Sequence, residues 1–224
     1  VEPALQEFVQ LTNSNQSQPV TEAMPVSLPF LSSTKFVLSD VFMDRYWGFY
    51  KDLFEFDSSC CADRPAPDEV VFHFRNFLYE LKRNGKQKGY EELDPIQTAH
   101  ELLGHLQRGE KVAIVSRFPE APGMEQYLEA LRPRGVQARV VTNHTGTQDF
   151  CFLKSTRREM VGIAKSTYFM YSALLGEATT VRAYSVDSEF TRRKFGGALP
   201  FFNYNFEPPE LRSRFSFELY NATG

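Results

Sequence analysis

A chain of 224 residues with 42% hydrophobic and 24% charged side chains has an ordinary globular composition, enough to bury a full core as one large domain or as two small lobes. This excludes a disordered chain beyond the ends. A formal net charge of -3 carries no basic signature, so nucleic acid is not expected as the main partner, although a local basic cleft could hold a nucleotide diphosphate.

In chain order, Val1 to Val26 is polar and aperiodic beyond a short helix expected over Pro3 to Leu11, and reads as a linker or loosely packed arm. Leu28 to Leu38 holds a short β-prone piece. Asp40 then stands ready to cap a helix over Val41 to Phe54. In it Phe42, Tyr46, Phe49, Tyr50, Leu53 and Phe54 recur at helical spacing, the pattern of a core face. Asp57 to Asp68, with two prolines and two cysteines, is a surface loop. Cys60 and Cys61 are adjacent and Cys151 is remote, a spacing that suits neither a zinc site nor a disulfide framework. A bridge from Cys60 or Cys61 to Cys151 is open only in an oxidising compartment. The four histidines, His73, His100, His105 and His144, form no metal-ligand pattern.

Glu69 to Phe74 begins a regular rhythm. Val70-Val71-Phe72 is the continuous apolar run of a central parallel strand, and it delivers His73, Phe74, Arg75 and Asn76 to its carboxyl end. The Lys-, Gly- and Glu-rich stretch from Tyr79 to Glu92 reads as an exposed loop. Asp94-Pro95 starts a helix with an N-cap and a first-turn proline, expected to run to Gln107. A strand over Lys111 to Val115 follows, then a helix over Gly123 to Leu131, a strand over Val136 to Thr142 and a helix over Thr147 to Ser155. Met160 to Ala164 is the next strand. It runs through Lys165-Ser166-Thr167 into an apolar helix, Tyr168 to Leu175, which Gly176 closes before a strand over Thr179 to Tyr184. Ser166 and Thr167 stand where a helix start offers unpaired N–H groups and partial positive charge to a phosphate. Simple capping by Ser166 is the plainer reading of the same position.

Alternation sustained over five strands, with connections this short, implies an α/β fold with a doubly wound, mostly parallel, Rossmann-like sheet. In such sheets ligands lie beyond the carboxyl ends of the strands, where the strand order reverses. His73, Arg75, Ser116, Arg117, Asn143, His144, Ser166 and Thr167 all fall at those ends. A nucleotide-binding crevice is therefore expected, with no Gly-rich fingerprint or P-loop to name the nucleotide. Residues 1–68 then form an N-terminal arm and aromatic helix, 69–190 the nucleotide-binding domain, and 191–224 a tail. The tail's aromatics, Pro200 to Tyr204 and Phe215 to Phe217, pack back on the sheet or on a partner lobe. Sequons at Asn15, Asn143 and Asn221 admit a lumenal location beside a cytoplasmic one. No run of the sequence is apolar enough to cross a membrane, so membrane association is expected only through an anchor segment outside these residues.

Two stretches carry a family resemblance: VVFHFRNF, starting at Val70, and QDFCFLKSTRREMVGIAKSTYFMYSALLG, starting at Gln148. Together they resemble the donor-binding half of GT-B glycosyltransferases of the fucosyltransferase type. DVFMDRYWGFYKDLFEF, starting at Asp40, is similar to the aromatic helix that precedes the first motif in the α1,2- and α1,6-fucosyltransferases. The similarity spans Val37 to Tyr184. It implies an inverting, metal-independent transfer of a sugar, fucose from GDP-fucose, to a glycan acceptor in the Golgi or secretory lumen, with no cofactor. Residues 1–68 would then hold part of an acceptor lobe.

The resemblance also implies roles for individual residues. Arg75 matches the arginine at the donor β-phosphate, with His73 beside it, Asp149 near the nucleobase, and Ser166 and Thr167 at the phosphates. Asn76, Ser116 and Arg117 complete the expected donor-binding set. A guanidinium fork suits this chemistry because it holds phosphate bidentately and offsets the charge growing on a departing diphosphate. The chain departs from the pattern at Asn76, which replaces the motif's second arginine, and no G-G-L-G-N-Q segment is found. His73 and Glu80 are the candidate bases for the acceptor hydroxyl. A non-catalytic nucleotide- or glycan-binding domain, or an interaction module on the same scaffold, is the alternative.

Overall fold

Six strands line up in one sheet in the computed structural model, which describes residues 61–76, 79–80, 101–164, 166–187 and 213–221. All of these belong to the second of two units into which the chain divides, Leu38–Gly224. The expected N-terminal arm, the aromatic helix over Val41 to Phe54, and Pro200 to Tyr204 lie outside the described residues.

The elements follow the expected alternation with ends moved by one to three residues, most at the strand expected to stop at Tyr184, which runs to Asp187. Strand β1 is Val70–His73 and β2 is Lys111–Val115; helix α1, Met124–Leu131, leads through a short 3-10 turn, Arg132–Arg134, to β3, Gln137–Val141. Helix α2, Gly146–Lys154, precedes β4, Glu159–Ile163, and α3, Thr167–Leu175, precedes β5, Thr180–Asp187. A sixth strand, β6, Phe215–Asn221, takes the aromatics Phe215 and Phe217 into the sheet, where the sequence suggests only a packed tail. Two local expectations fail. Tyr79 and Glu80 are helical, because the Asn76 side chain caps them by accepting the Tyr79 N–H at 2.7 Å. The helix expected to reach Gln107 ends at Leu102, and Arg134 holds the carbonyls of Leu103, Gly104 and Leu106 that follow.

The strand order is β3-β2-β1-β4-β5-β6 and each neighbouring pair is parallel. The chain therefore builds outward from β1 to β3, then returns to the other side of β1. This places a topological reversal between β1 and β4. Helices cover both faces. Val71, Ala113, Val115, Met160, Val181 and Ala183 face α2 and α3, while Val70, Phe72, Val112, Ile114, Val161 and Ile163 face α1 and Leu102, Leu103 and Leu106. Strands buried on two sides need unbroken apolar runs, which is why VVFH, VAIV and EMVGI are enclosed from end to end. Each Val, Ile, Phe or Met side chain enclosed there contributes about 1.5–3 kcal/mol by leaving water. Edge strand β6 is fastened by Arg182, whose guanidinium meets the Glu218 carboxylate at 2.7 and 3.0 Å. Arg214 closes the carboxyl end of α3 by donating to the carbonyls of Leu174, Gly176 and Ala178.

One glycine sets how closely α3 lies on the sheet. A Cβ built on Gly162 of β4 would sit 2.5 Å from the ring of Phe169, which is fully buried. Gly162→Ala is therefore expected to cost about 1–3 kcal/mol by overpacking. Urea titration of the variant beside Gly162→Ala/Phe169→Leu checks this, since the smaller partner side chain should recover part of the loss. Equal costs with and without Phe169 would show that the ring is not the obstacle.

Candidate functional site

A cavity of about 520 Å³ opens at the carboxyl ends of β1, β2 and β3, within the range of small-molecule sites. Its walls come from the loop after each strand. His73, Phe74, Arg75 and Glu80 follow β1, Ser116, Arg117 and Pro119 follow β2, Asn143 and His144 follow β3, and Gly146, Asp149 and Tyr168 come from α2 and α3. Parallel pairing of β1, β2 and β3 brings these residues together from positions far apart in the sequence.

Arg75 and Ser166 meet across the β1/β4 reversal, with Arg75 Nη1 donating to Ser166 Oγ at 3.3 Å. The fork of Arg75 is engaged by Glu80, which accepts from Nε at 3.0 Å and from Nη2 at 2.9 Å. Ser166 is fully buried and its Oγ also accepts the Phe169 N–H, so it caps α3 and stands behind the cavity rather than in its wall. Asn76 is likewise spent on structure, since its Nδ2 donates to the Pro122 carbonyl. Of the residues expected from the sequence, the structure gathers His73, Arg75, Ser116, Arg117 and Asp149 around the cavity. Asn76 and Ser166 support it from behind, and Thr167 opens α3, with its side chain outside the described atoms.

The cavity has two chemically different ends. Arg75 and the exposed Arg117 mark one. Among the described residues Arg117 has no ion-pair partner; its guanidinium lies 5.3 Å over the Phe118 ring. At the other end, His144 lies between two carboxylates, with Nε2 3.1 Å from Asp63 and Nδ1 3.3 Å from Asp149. The second contact has an ion-pair distance without hydrogen-bond geometry, so the ring is close to Asp149 but not aligned on it. Burial pushes the Asp149 carboxyl above the usual carboxylate range, against the pull of His144.

Between the ends lies His73, which is 5% exposed and stacks on Phe169 with ring centroids 6.0 Å apart. Its Nδ1 is buried without a hydrogen-bond partner. Burial first, and the Arg75 charge second, push its pKa down to about 3, so the imidazole is neutral at physiological pH. A nitrogen held so far below neutrality keeps little hold on a proton, and the ring is suited to hydrogen bonding rather than to carrying charge. Tyr168 closes the floor by donating its hydroxyl to the Gly146 carbonyl, and burial raises its pKa.

Asn143 and His144, expected at the strand ends, and Glu80, a candidate base, also line the wall; Gly146 and Tyr168 join it, and Asp63 reaches it from outside. Glu80 carries a weak sequence signal as an acid five residues after Arg75. Asp63 carries none, because its place depends on the Cys61–Cys151 disulfide, which ties the segment before β1 to α2 with the two Cα atoms 5.4 Å apart. Asn143, the middle sequon, is exposed on the rim at φ 64. Among the described residues no group of three or more His, Cys, Asp or Glu side chains is arranged to hold a metal ion, and no helix is long and apolar enough to cross a membrane. No family model, curated protein or solved structure matches the chain.

Proposed function

We propose that the cavity binds a nucleotide-activated sugar and that the protein is an inverting glycosyltransferase, with GDP-fucose the donor and a glycan hydroxyl the acceptor. The observation that carries this reading is the cavity's position: it lies beyond the strand ends beside the β1/β4 reversal, with Arg75 and Arg117 at one end. A diphosphate placed there would take over the Arg75 fork from Glu80 and meet Arg117 at the rim. As the sugar leaves, the two guanidiniums would offset the charge developing on the nucleoside diphosphate. The family resemblance supplies fucose, guanine, the GT-B architecture and the independence from metal. The disulfide fits the secretory lumen that the resemblance implies, since such bridges persist in oxidising compartments.

Glu80 favours a second reading. A fork already satisfied by a carboxylate also suits a binding or interaction module that turns nothing over. A nucleotide titration followed by a donor-hydrolysis assay separates the readings. In thermal unfolding with GDP, UDP, CDP and ADP, GDP alone should raise the midpoint, with or without EDTA, because a ligand that binds only the folded state stabilises it by mass action. Arg75→Ala should weaken GDP about ten- to a hundredfold, the loss of a charge-assisted contact of about 1.5–3 kcal/mol. GDP binding followed by GDP-fucose hydrolysis supports the transferase, and GDP binding without turnover supports the binding module. A melt that no nucleotide moves, or an Arg75→Ala variant that binds GDP within about twofold of the parent, would remove the phosphate assignment.

A further inference from the structure

Every inverting transfer needs a group that takes the proton of the attacking hydroxyl, and the structure narrows the choice. Glu80 stands with Arg75 at the phosphate end, on the side of the leaving group, whereas the base of an inverting attack stands on the opposite side of the sugar; His73 is held neutral with little hold on a proton. The remaining acid in the wall is Asp149, whose side chain is 13% exposed and lies 3.3 Å from His144 Nδ1. His144, 12% exposed, reaches Asp63 on its other side at 3.1 Å, and Asp63 is 51% exposed. These three side chains stand in order from the cavity wall to solvent, and a turn of the His144 ring would align its Nδ1 on Asp149. Asp63 and Asp149 each stand two residues from a cysteine of the same disulfide, so the bridge holds both ends of the line in place.

We propose that Asp149 is the proton acceptor of this cavity and that His144 and Asp63 carry the proton from it to water. The proposal rests on the transferase reading and gives Asp149 a different task from the nucleobase contact that the family resemblance implies. The acceptor hydroxyl gives its proton to the Asp149 carboxylate as its oxygen bonds to the anomeric carbon. The bond from that carbon to the diphosphate oxygen breaks, and its electron pair leaves with the nucleoside diphosphate. His144 takes that proton at Nδ1 from Asp149 as its Nε2 proton passes to Asp63. Release of one proton from Asp63 to water, and a turn of the ring that brings the bare nitrogen back to Asp149, restore the starting state. The other charged or titratable groups close to the line are Arg139, which interacts with Asp63, and Tyr168, which interacts with Asp149.

Asp149→Asn, Asp63→Asn and Asp63→Glu test it, each measured for GDP-induced thermal shift and for GDP-fucose turnover across pH. Asp149→Asn should keep the GDP shift and lose about a hundredfold or more in kcat, the size of a general-base contribution. Asp63→Asn should keep KM, lose about tenfold in kcat and change the shape of the pH–rate profile, and Asp63→Glu should restore most of the rate. Turnover within about twofold of the parent in Asp149→Asn would overturn the relay. A selective loss of GDP binding in that variant would also overturn it, in favour of a nucleobase contact. If the parent protein neither binds GDP nor consumes the donor, the transferase reading fails first and the relay with it.

Discussion

Opening the Cys61–Cys151 bridge should cost the protein about 4–5 kcal/mol, a large share of the stability of any domain this size. The cysteines are 90 residues apart in the sequence, and that segment carries β1, β2, α1 and β3. Cross-linking a loop so long removes many conformations from the unfolded chain, and this chain-entropy term grows with the logarithm of loop length. Cys151 is buried within α2 while Cys61 lies in the segment leading to β1, so the bridge joins parts of the fold that no strand pairing connects directly. Urea unfolding with and without reductant, beside Cys151→Ala, measures the effect. A midpoint unchanged by reductant, or a Cys151→Ala variant as stable as its parent, would show that the bridge is not formed or not stabilising. The same variant releases the segment that carries Asp63. If the relay is right, reductant should therefore lower turnover even where the protein stays folded.

The sheet was legible in the sequence because buried parallel strands leave a distinctive mark. Val70-Val71-Phe72, Lys111 to Val115 and Met160 to Ala164 are too short for helices and too uniformly apolar for half-exposed strands, and each is followed by a turn and a helix. Those three positions place His73, Ser116 and Ser166 at strand ends without any structure. The tail was less legible. Phe215 and Phe217 alternate with Ser216 and Glu218, a two-residue period, but aromatic density masks it. The strand is recognisable only once the Glu218 carboxylate is seen to pair with the Arg182 guanidinium of β5. Within the cavity, sequence reasoning finds residue types at strand ends but not their partners. Glu80 is visible in the string as an acid close after Arg75 but not as the carboxylate that occupies it, since a carboxylate five residues on pairs with the arginine only if the chain turns sharply after β1. Asp63 is invisible for a similar reason: its contact with His144 is made by a bridge spanning 90 residues, and Cys60 and Cys61 are equivalent candidates until the fold chooses.

Acid should weaken the fold through His73 before the carboxylates begin to titrate. The imidazole is enclosed against Phe169 and Tyr168, with Nδ1 unpartnered and Arg75 nearby, so protonation would place an unsolvated cation beside another cation. Its pKa falls from the usual 6.5 to about 3 in the folded protein. A histidine depressed in this way binds its proton more readily when unfolded. The folded state therefore has its full advantage above about pH 6.5 and loses it steadily as the pH falls toward 3. The slope within that window is about 1.4 kcal/mol per pH unit, so about 2 kcal/mol should be gone at pH 5. Urea midpoints at pH 7, 6 and 5 for the parent and for His73→Phe give the measurement. The phenylalanine keeps the ring stack and removes the titration, and every other titratable group is common to both proteins. The parent should lose stability faster than the variant on acidification; parallel curves would mean that the ring is not buried neutral. Occupancy gives a second readout on the same residue. An anionic diphosphate seated at Arg75 would favour the protonated imidazole and raise its folded-state pKa, so saturating GDP should flatten the acid limb in the parent and leave His73→Phe unchanged. If GDP raises the midpoint equally at pH 7 and pH 5, the nucleotide binds away from His73, and the phosphate end of the cavity lies at Arg117 instead.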